Sequence, residues 1–161
     1  MNPIAPIEAP IELFLVRPSQ GSAAKASLAN SAPRRSRAAK GQPRHSVLVV
    51  DDDADVRELL AAVLKSEGYD VLTAENGAAA LSVLRETLPD LIVLDLMMPV
   101  MNGWEFRETQ RAYPEYAAIP VVCLSGHHAA HAHAAALGIA ECIQKPLDVD
   151  YLVEVVRRLC T

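Results

Sequence analysis

Three aspartates, one serine and one lysine are the residues of this chain whose types and positions could do chemistry together. Carboxylates that lie close together repel each other unless a cation is present, and oxygen ligands of this kind suit Mg²⁺. A hydroxyl and an ammonium group can bind the oxygens of an anionic group. The combination is typical of phosphoryl transfer, in which a carboxylate can act as the nucleophile. The five residues are Asp51, Asp52, Asp95, Ser125 and Lys145.

Each of these residues ends or follows a short apolar segment, which indicates how the chain positions them. Five such segments (47–51, 70–74, 91–95, 120–125 and 141–144) alternate with segments of helical spacing (53–68, 76–89, 103–113, 127–138 and 148–160). Continuous apolar runs are typical of strands buried on both faces. The pattern therefore predicts an α/β fold, an open parallel sheet with helices on both faces and right-handed crossovers. In such sheets the site lies outside the carboxyl ends of the strands, where all five side chains should meet.

Composition divides the chain into two parts. Residues 1–45 hold six of the eleven prolines and carry seven basic residues against two acidic ones, whereas residues 46–161 carry eight basic residues against eighteen acidic ones. We predict a disordered, basic, Pro/Ala/Ser-rich arm over 1–45 and one folded domain over 46–161. The basic run 34–40 is by itself weak evidence for nucleic-acid binding, so no nucleic-acid partner is expected.

Cysteine number and hydropathy indicate the compartment. Cys123, Cys142 and Cys160 are odd in number and form no CxxC pair, which favours reduced thiols in the cytosol. No apolar run approaches the roughly 20 residues of a membrane span. We therefore expect a cytoplasmic protein with no membrane partner.

Four motifs in this order, "VLVVDDD", "LIVLDLMMPVMNG", "VVCLS" and "QKP", resemble the receiver domain of bacterial two-component response regulators over roughly residues 46–161. The resemblance implies a doubly wound, flavodoxin-like sheet of strand order 2-1-3-4-5, with a cis Lys145–Pro146 bond. It implies Asp95 as the phosphoacceptor, Ser125 and Lys145 as the residues that bind the phosphoryl group, and Mg²⁺ as the cofactor. The implied metal ligands are Asp51, Asp52, Asp95 and the backbone carbonyl of Met97.

The resemblance also implies a function. The chain would be a single-domain response regulator that receives a phosphoryl group from a histidine kinase or a histidine phosphotransfer protein. It would signal by binding a downstream protein, whose identity is unknown, or by relaying the phosphoryl group. It would not be an enzyme beyond catalysing its own phosphorylation and dephosphorylation.

One departure from the family is Cys142, three residues before Lys145, where the family usually has Tyr or Phe. Because a free thiol fills either rotamer at little cost, we predict weak coupling between Asp95 and the surface near Cys142.

Two other functions fit part of the sequence. Asp51-x-Asp53 resembles the nucleophile motif of haloacid-dehalogenase-like phosphatases, although the later paired-acid motif is missing. A receiver that docks without phosphorylation is the other alternative, and the complete set of five residues argues against it. Four histidines in the fourth helical segment, 127–138, could suggest a metal site, but their spacing favours a solvated helix face; they are His127, His128, His131 and His133.

Overall fold

The computed structural model describes residues 34–35, 44–126 and 130–160, without the side chains of residues 34–35 and 130–132. The prediction of a disordered arm falls almost entirely outside the described residues. Within the arm, Arg34–Arg35 forms a two-residue parallel strand with Thr87–Leu88.

The main sheet consists of five parallel strands, as the apolar runs predict. They are β1 (Ser46–Val50), β2 (Asp70–Ala74), β3 (Leu91–Asp95), β4 (Val121–Ser125) and β5 (Glu141–Gln144). Their spatial order is β2-β1-β3-β4-β5, so the predicted order 2-1-3-4-5 is confirmed. Chain order reverses direction between β1 and β3, and a sheet of this kind opens a crevice there, at the carboxyl ends of the strands.

Helices follow the strands at the predicted places. In chain order the helices are α1 (Ala54–Ser66), α2 (Gly77–Glu86), α3 (Gly103–Ala112), the short α4 (Pro114–Ala117), α5 (Ala130–Ala136) and α6 (Val149–Leu159). Of these, α4 follows α3 instead of a strand and was not among the predicted helices. Short polar side chains cap four of the helix N-termini: Asp53, Asn76, Asn102 and Asp148. Helix α2 is shorter than the predicted 76–89 because Thr87 is already extended, at φ −145° and ψ 131°.

Alternate residues of the strands pack on opposite faces of the sheet, which makes two cores. Val47 and Val49 of β1 belong to the core covered by α1 and α6. Leu48 and Val50 belong to the core covered by α2, α3 and α5. This alternation follows from the two-residue period of a strand. The predicted helices on both faces are therefore confirmed.

The cysteines differ from the sequence prediction. Cys123 of β4 and Cys142 of β5 form a disulfide, with their Cα atoms 4.5 Å apart, and Cys160 is a buried free thiol. The expectation of three reduced thiols is thus wrong for this pair. The physical reason is register, since Cys123 and Cys142 lie directly opposite each other on adjacent strands. The argument that Cys142 is a free thiol with two easy rotamers does not apply to this bonded form.

Helix length and hydropathy also bear on the predicted absence of a membrane span. Within the described ranges, no helix is both long enough and apolar enough to cross a bilayer.

Candidate phosphoacceptor site

The carboxyl ends of four neighbouring strands bring the predicted residues to one edge of the sheet. Asp51 follows the last residue of β1, Asp95 ends β3, Ser125 ends β4 and Lys145 follows β5. The ladder between β4 and β5 continues past the strands, because the Lys145 N–H donates to the Ser125 carbonyl at 2.8 Å. The sheet therefore fixes where the lysine backbone leaves it.

Asp51 is fully buried, and each of its oxygens has a polar partner. Oδ1 accepts from the Asp53 N–H at 2.9 Å, and Oδ2 lies 3.3 Å from Lys145 Nζ. Burial raises the pKa of the Asp51 carboxyl, against the lowering effect of the Asp53 N–H and of the Lys145 charge. The backbone carbonyl of Asp51 also accepts from the Arg57 guanidinium at 2.6 Å, which ties the strand end to α1.

Asp95 is 5% exposed at the end of the most apolar strand. Its Oδ1 accepts from the Met97 N–H at 3.2 Å, and its Oδ2 lies 3.0 Å from Lys145 Nζ. A carboxylate at this depth is costly without such partners. The single acid after an apolar run is therefore explained by the site that it enters.

Lys145 links the two buried aspartates, and its side chain is 31% exposed. Burial alone would lower the pKa of its ammonium group, but the hydrogen bond and charge of Asp95, together with Asp51, outweigh it and the net pKa is raised. Lys145 thus remains a cation at the position where an anionic group bound to Asp95 would need one. The predicted cis bond between Lys145 and Pro146 is present.

Ser125 is buried at the end of β4, next in register to Gln144. Because Asp95 and Leu124 are register partners on adjacent strands, Ser125 lies one position past the level of Asp95. Ser125 and Asp95 are therefore at the same edge of the sheet, on adjacent strands. Its role in binding a phosphoryl group stays a prediction.

The acidic residues fit a divalent cation. Among the described residues, Asp51, Asp52 and Asp95 are a cluster in which one carboxylate oxygen from each lies within 4.8 Å of the others. Asp52 is exposed, whereas the other two are buried, so an ion could be reached from solvent on the Asp52 side. Hard oxygen ligands of this number are those that Mg²⁺ takes together with water. Met97 lies with its N–H against Asp95, and its carbonyl remains a predicted ligand.

Asp53 does not join this cluster, although it follows Asp51 and Asp52 directly. Its side chain accepts from the N–H groups of Asp55 and Val56 and so caps α1. The phosphatase motif Asp51-x-Asp53 needs both carboxylates in the site, and here the second one serves the helix instead. This geometry disfavours the phosphatase alternative.

Sequence reasoning missed two residues that shape the region. Gly103 leaves no room for a side chain, because an added Cβ would lie 2.5 Å from the Asp95 carbonyl oxygen. Arg107 is buried on α3 and donates to the carbonyls of Leu137 and Gly138 at the end of α5. Gly103 is the last residue of the motif "LIVLDLMMPVMNG", but the motif does not reveal this close approach. A charged residue next to Phe106 on a helix face gave no signal of its burial.

Of the four histidines in the segment 127–138, the structure describes the side chain of His133 alone. His127 and His128 lie outside the described residues, as does the side chain of His131. His133 is exposed and packs edge-on against the ring of Trp104, with the ring centroids 4.5 Å apart.

The fold and the residues at its edge define the class of protein. The chain belongs to the response regulator receiver domain family, whose model matches residues 47–157. It is therefore a signalling domain of two-component systems. Members of this family are phosphorylated by histidine kinases or phosphotransfer proteins, with phosphorylation on an aspartate.

Individual relatives agree with this assignment. An uncharacterized 14.6 kDa protein of Leptolyngbya boryana is 38% identical over 116 residues, covering 71% of this chain and 88% of that protein. The DNA-binding response regulator MtrA of Mycobacterium tuberculosis is 44% identical over 82 residues, covering 51% of this chain and 35% of MtrA. The chain thus spans about a third of the length of MtrA. The structure of the chemotaxis response regulator CheY4 of Vibrio cholerae superposes with a TM-score of 0.68 at 30% identity, covering 72% and 98% of the two chains.

Proposed function

We propose that Asp95 accepts a phosphoryl group from a phosphohistidine of a histidine kinase or histidine phosphotransfer protein, in a reaction that needs Mg²⁺. The observation that supports this most directly is the single ammonium group of Lys145 within 3.3 Å of both Asp51 and Asp95. Packing alone does not require an ammonium group beside a carboxylate at the end of a strand. An acyl phosphate on Asp95, in contrast, would need a cation beside it.

The proposed step exchanges one bond to phosphorus for another. A carboxylate oxygen of Asp95 attacks the phosphorus, the phosphorus–nitrogen bond to the donor imidazole breaks, and the imidazole leaves with the electron pair and takes up a proton. Lys145 moves its contact from Asp95 Oδ2 to a phosphoryl oxygen, while Ser125 donates its hydroxyl hydrogen to another. Asp51, Asp52, Asp95 and the Met97 carbonyl would hold the Mg²⁺ ion, which when bound neutralises charge on the transferring group.

The phosphorylated domain would then act on another protein, either by binding it or by passing the phosphoryl group to a histidine of a phosphotransfer protein. We propose a cytoplasmic location, because a histidine kinase phosphorylates its partner there. We further propose that residues 46–161 are sufficient for phosphorylation and that the basic arm before them is not required.

The test is incubation of the full chain with acetyl phosphate, followed by intact-mass measurement. We expect the mass gain of one phosphoryl group in the presence of Mg²⁺ and none when EDTA is present. The Asp95→Asn variant should show no gain under either condition. Equal phosphorylation with EDTA would exclude the metal requirement, and undiminished phosphorylation of Asp95→Asn would exclude Asp95.

A further inference from the structure

A disulfide joins β4, which ends at Ser125, to β5, which Lys145 follows directly. Cys123 precedes Ser125 by two residues on β4, so the two side chains lie on the same face of that strand. Cys142 lies on β5, three residues before Lys145. The two cysteines are register partners and form a disulfide. The disulfide is thus a covalent link between the two strand ends on which the phosphoacceptor site depends.

We propose that Cys123 and Cys142 are a redox modification site whose disulfide form disfavours the phosphorylated state of Asp95 and weakens binding of a phosphoryl mimic there. This inference rests on the proposed function, because it assigns a regulator to the same site. Disulfides in cytosolic proteins are usually transient or redox-sensing, so a cross-strand pair in a protein of that compartment should cycle between the dithiol and the disulfide.

The two thiols differ in access, which gives the oxidation an order. Cys123 is fully buried, whereas Cys142 is partly exposed and lines a surface groove of about 440 Å³ together with Ala135, Ile139 and Tyr151. A small peroxide can therefore reach Cys142 first. Its distance from Cys123 allows the buried thiol to resolve the product, since the Cα separation of 4.5 Å is within the range of native disulfides.

The proposed reaction balances with hydrogen peroxide as the oxidant. The Cys142 thiolate attacks one peroxide oxygen, the oxygen–oxygen bond breaks, and Cys142 becomes a sulfenic acid as hydroxide leaves and is protonated to water. The sulfur of Cys123 then attacks the sulfenic sulfur, the sulfur–sulfur bond forms, and a second water leaves. The two thiols lose two protons and two electrons in total, and the peroxide is reduced to two waters.

The disulfide is present in a form of the protein in which Lys145 still contacts Asp95, and this indicates how oxidation could affect phosphorylation. In this form Lys145 Nζ contacts Oδ2 of both Asp51 and Asp95. Phosphorylation requires the ammonium group to leave Asp95 Oδ2 for a phosphoryl oxygen. A covalent link between β4 and β5, just before Ser125 and Lys145, restricts the adjustment of both strand ends. The disulfide should therefore favour the unphosphorylated state.

Cys160 provides a matched control within the same chain. It is buried, and burial together with the nearby Asp90 charge raises the pKa of its thiol to about 12. A thiol with so little thiolate reacts slowly with peroxides. Oxidation should therefore be confined to the Cys123–Cys142 pair.

The test uses the full chain, reduced with dithiothreitol or oxidised with hydrogen peroxide. Intact mass and peptide mapping read the disulfide, and fluorine NMR reads Mg²⁺-dependent binding of beryllofluoride, which mimics a phosphoryl group. We expect oxidation to remove two hydrogens and to raise the Kd for beryllofluoride about fivefold or more, the lower end of ordinary coupling between sites. The Cys160→Ser variant should behave in the same way. Cys142→Ala, which removes the more exposed of the two cysteines, should lose the response to peroxide and bind beryllofluoride with the Kd of the reduced protein.

Each result has one meaning. A disulfide that does not form between Cys123 and Cys142 under peroxide would overturn the modification site. Equal Kd values for the reduced and oxidised chains would overturn the coupling while leaving the proposed function intact. A reduced chain that binds no beryllofluoride would overturn the proposed function and the coupling together, and the mass measurement would still decide whether the cysteine pair is oxidised.

Discussion

The ammonium group of Lys145 lies 3.0 Å from Oδ2 of Asp95, although the two residues are 50 positions apart in the chain. The contact exists because β3 and β5 are parallel strands of one sheet, with β4 between them. Lys145 also compensates the charge of the fully buried Asp51. One side chain thus lies beside two buried carboxylates, so we expect it both to stabilise the folded state and to supply a cation to the proposed phosphoacceptor, and these two roles can be separated by experiment.

Replacing Lys145 by alanine should destabilise the protein most when no divalent cation is present. The variant leaves Asp51 and Asp95 buried without their cation. We expect the free energy of unfolding to fall by about 1–3 kcal/mol, below the usual cost of breaking a fully buried pair because Lys145 is partly exposed. Added Mg²⁺ should restore more stability to the variant than to the wild type. Urea denaturation with EDTA and with Mg²⁺ measures both effects.

Arg157 provides the control for this prediction, since it pairs with Glu67 at 2.9 Å on the exposed surface. Arg157→Ala should cost less than about 1 kcal/mol and should not alter the response to Mg²⁺. If the two variants lost the same stability, the Lys145 contacts would have no special role.

Adjacent aspartates should have opposite effects when each is replaced by alanine. Asp52 is exposed within the acidic cluster, and Asp53 caps α1. We expect Asp52→Ala to lose Mg²⁺ affinity with little change in stability, and Asp53→Ala to lose about 1 kcal/mol of stability and retain Mg²⁺ affinity. Calorimetric titration with Mg²⁺ and thermal denaturation separate the two effects. Retained metal binding in Asp52→Ala would remove that residue from the ligand set.

A methyl group at Gly103 should displace the backbone of Asp95, the proposed phosphoacceptor. The added Cβ would lie 2.5 Å from the Asp95 carbonyl oxygen and 2.8 Å from Leu96 Cα, and neither atom can move aside without moving β3. Alanine is the better helix former by about 0.5–1 kcal/mol, but the overpacking should cost about 1–3 kcal/mol and prevail. We expect lower stability and slower phosphorylation by acetyl phosphate.

Gly126 is the matched control for Gly103, since it follows Ser125 at the same edge and has open space around its Cβ position. Gly126→Ala should leave stability within about 0.5 kcal/mol of the wild type. A Gly103→Ala protein as stable and as readily phosphorylated as Gly126→Ala would show that the β3–α3 connection yields more easily than its contacts indicate.

Local patterns were sufficient to predict most of the fold and the location of the site. The run 91–95 is apolar at every position before Asp95. In a chain whose strand and helix segments alternate, such a run is typical of a central strand of a parallel sheet. Once the strands are parallel, their carboxyl ends meet, and this alone brings Asp51, Asp95 and Lys145 together. The sheet order came from the resemblance to receiver domains and was confirmed.

Other features depend on contacts that no local pattern encodes. The Cys123–Cys142 disulfide requires the register of two adjacent strands, which places side by side two cysteines that are 19 residues apart in the chain. The number and spacing of the cysteines, from which we predicted reduced thiols, carry no information about that register. The burial of Arg107 depends on the end of α5 passing over α3, where two backbone carbonyls accept its hydrogen bonds. The early end of α2 depends on the extended backbone at Thr87, which bridges to Arg34.

The central claim is that the acyl phosphate forms on Asp95, and its direct test is to locate the modified residue. The chain is phosphorylated with acetyl phosphate and Mg²⁺, reduced with sodium borohydride, which converts an aspartyl phosphate to homoserine, and digested for tandem mass spectrometry. We predict homoserine at position 95 and unmodified aspartate at positions 51 and 52. Homoserine at position 51, or phosphorylated protein with no homoserine at 95, would contradict the assignment.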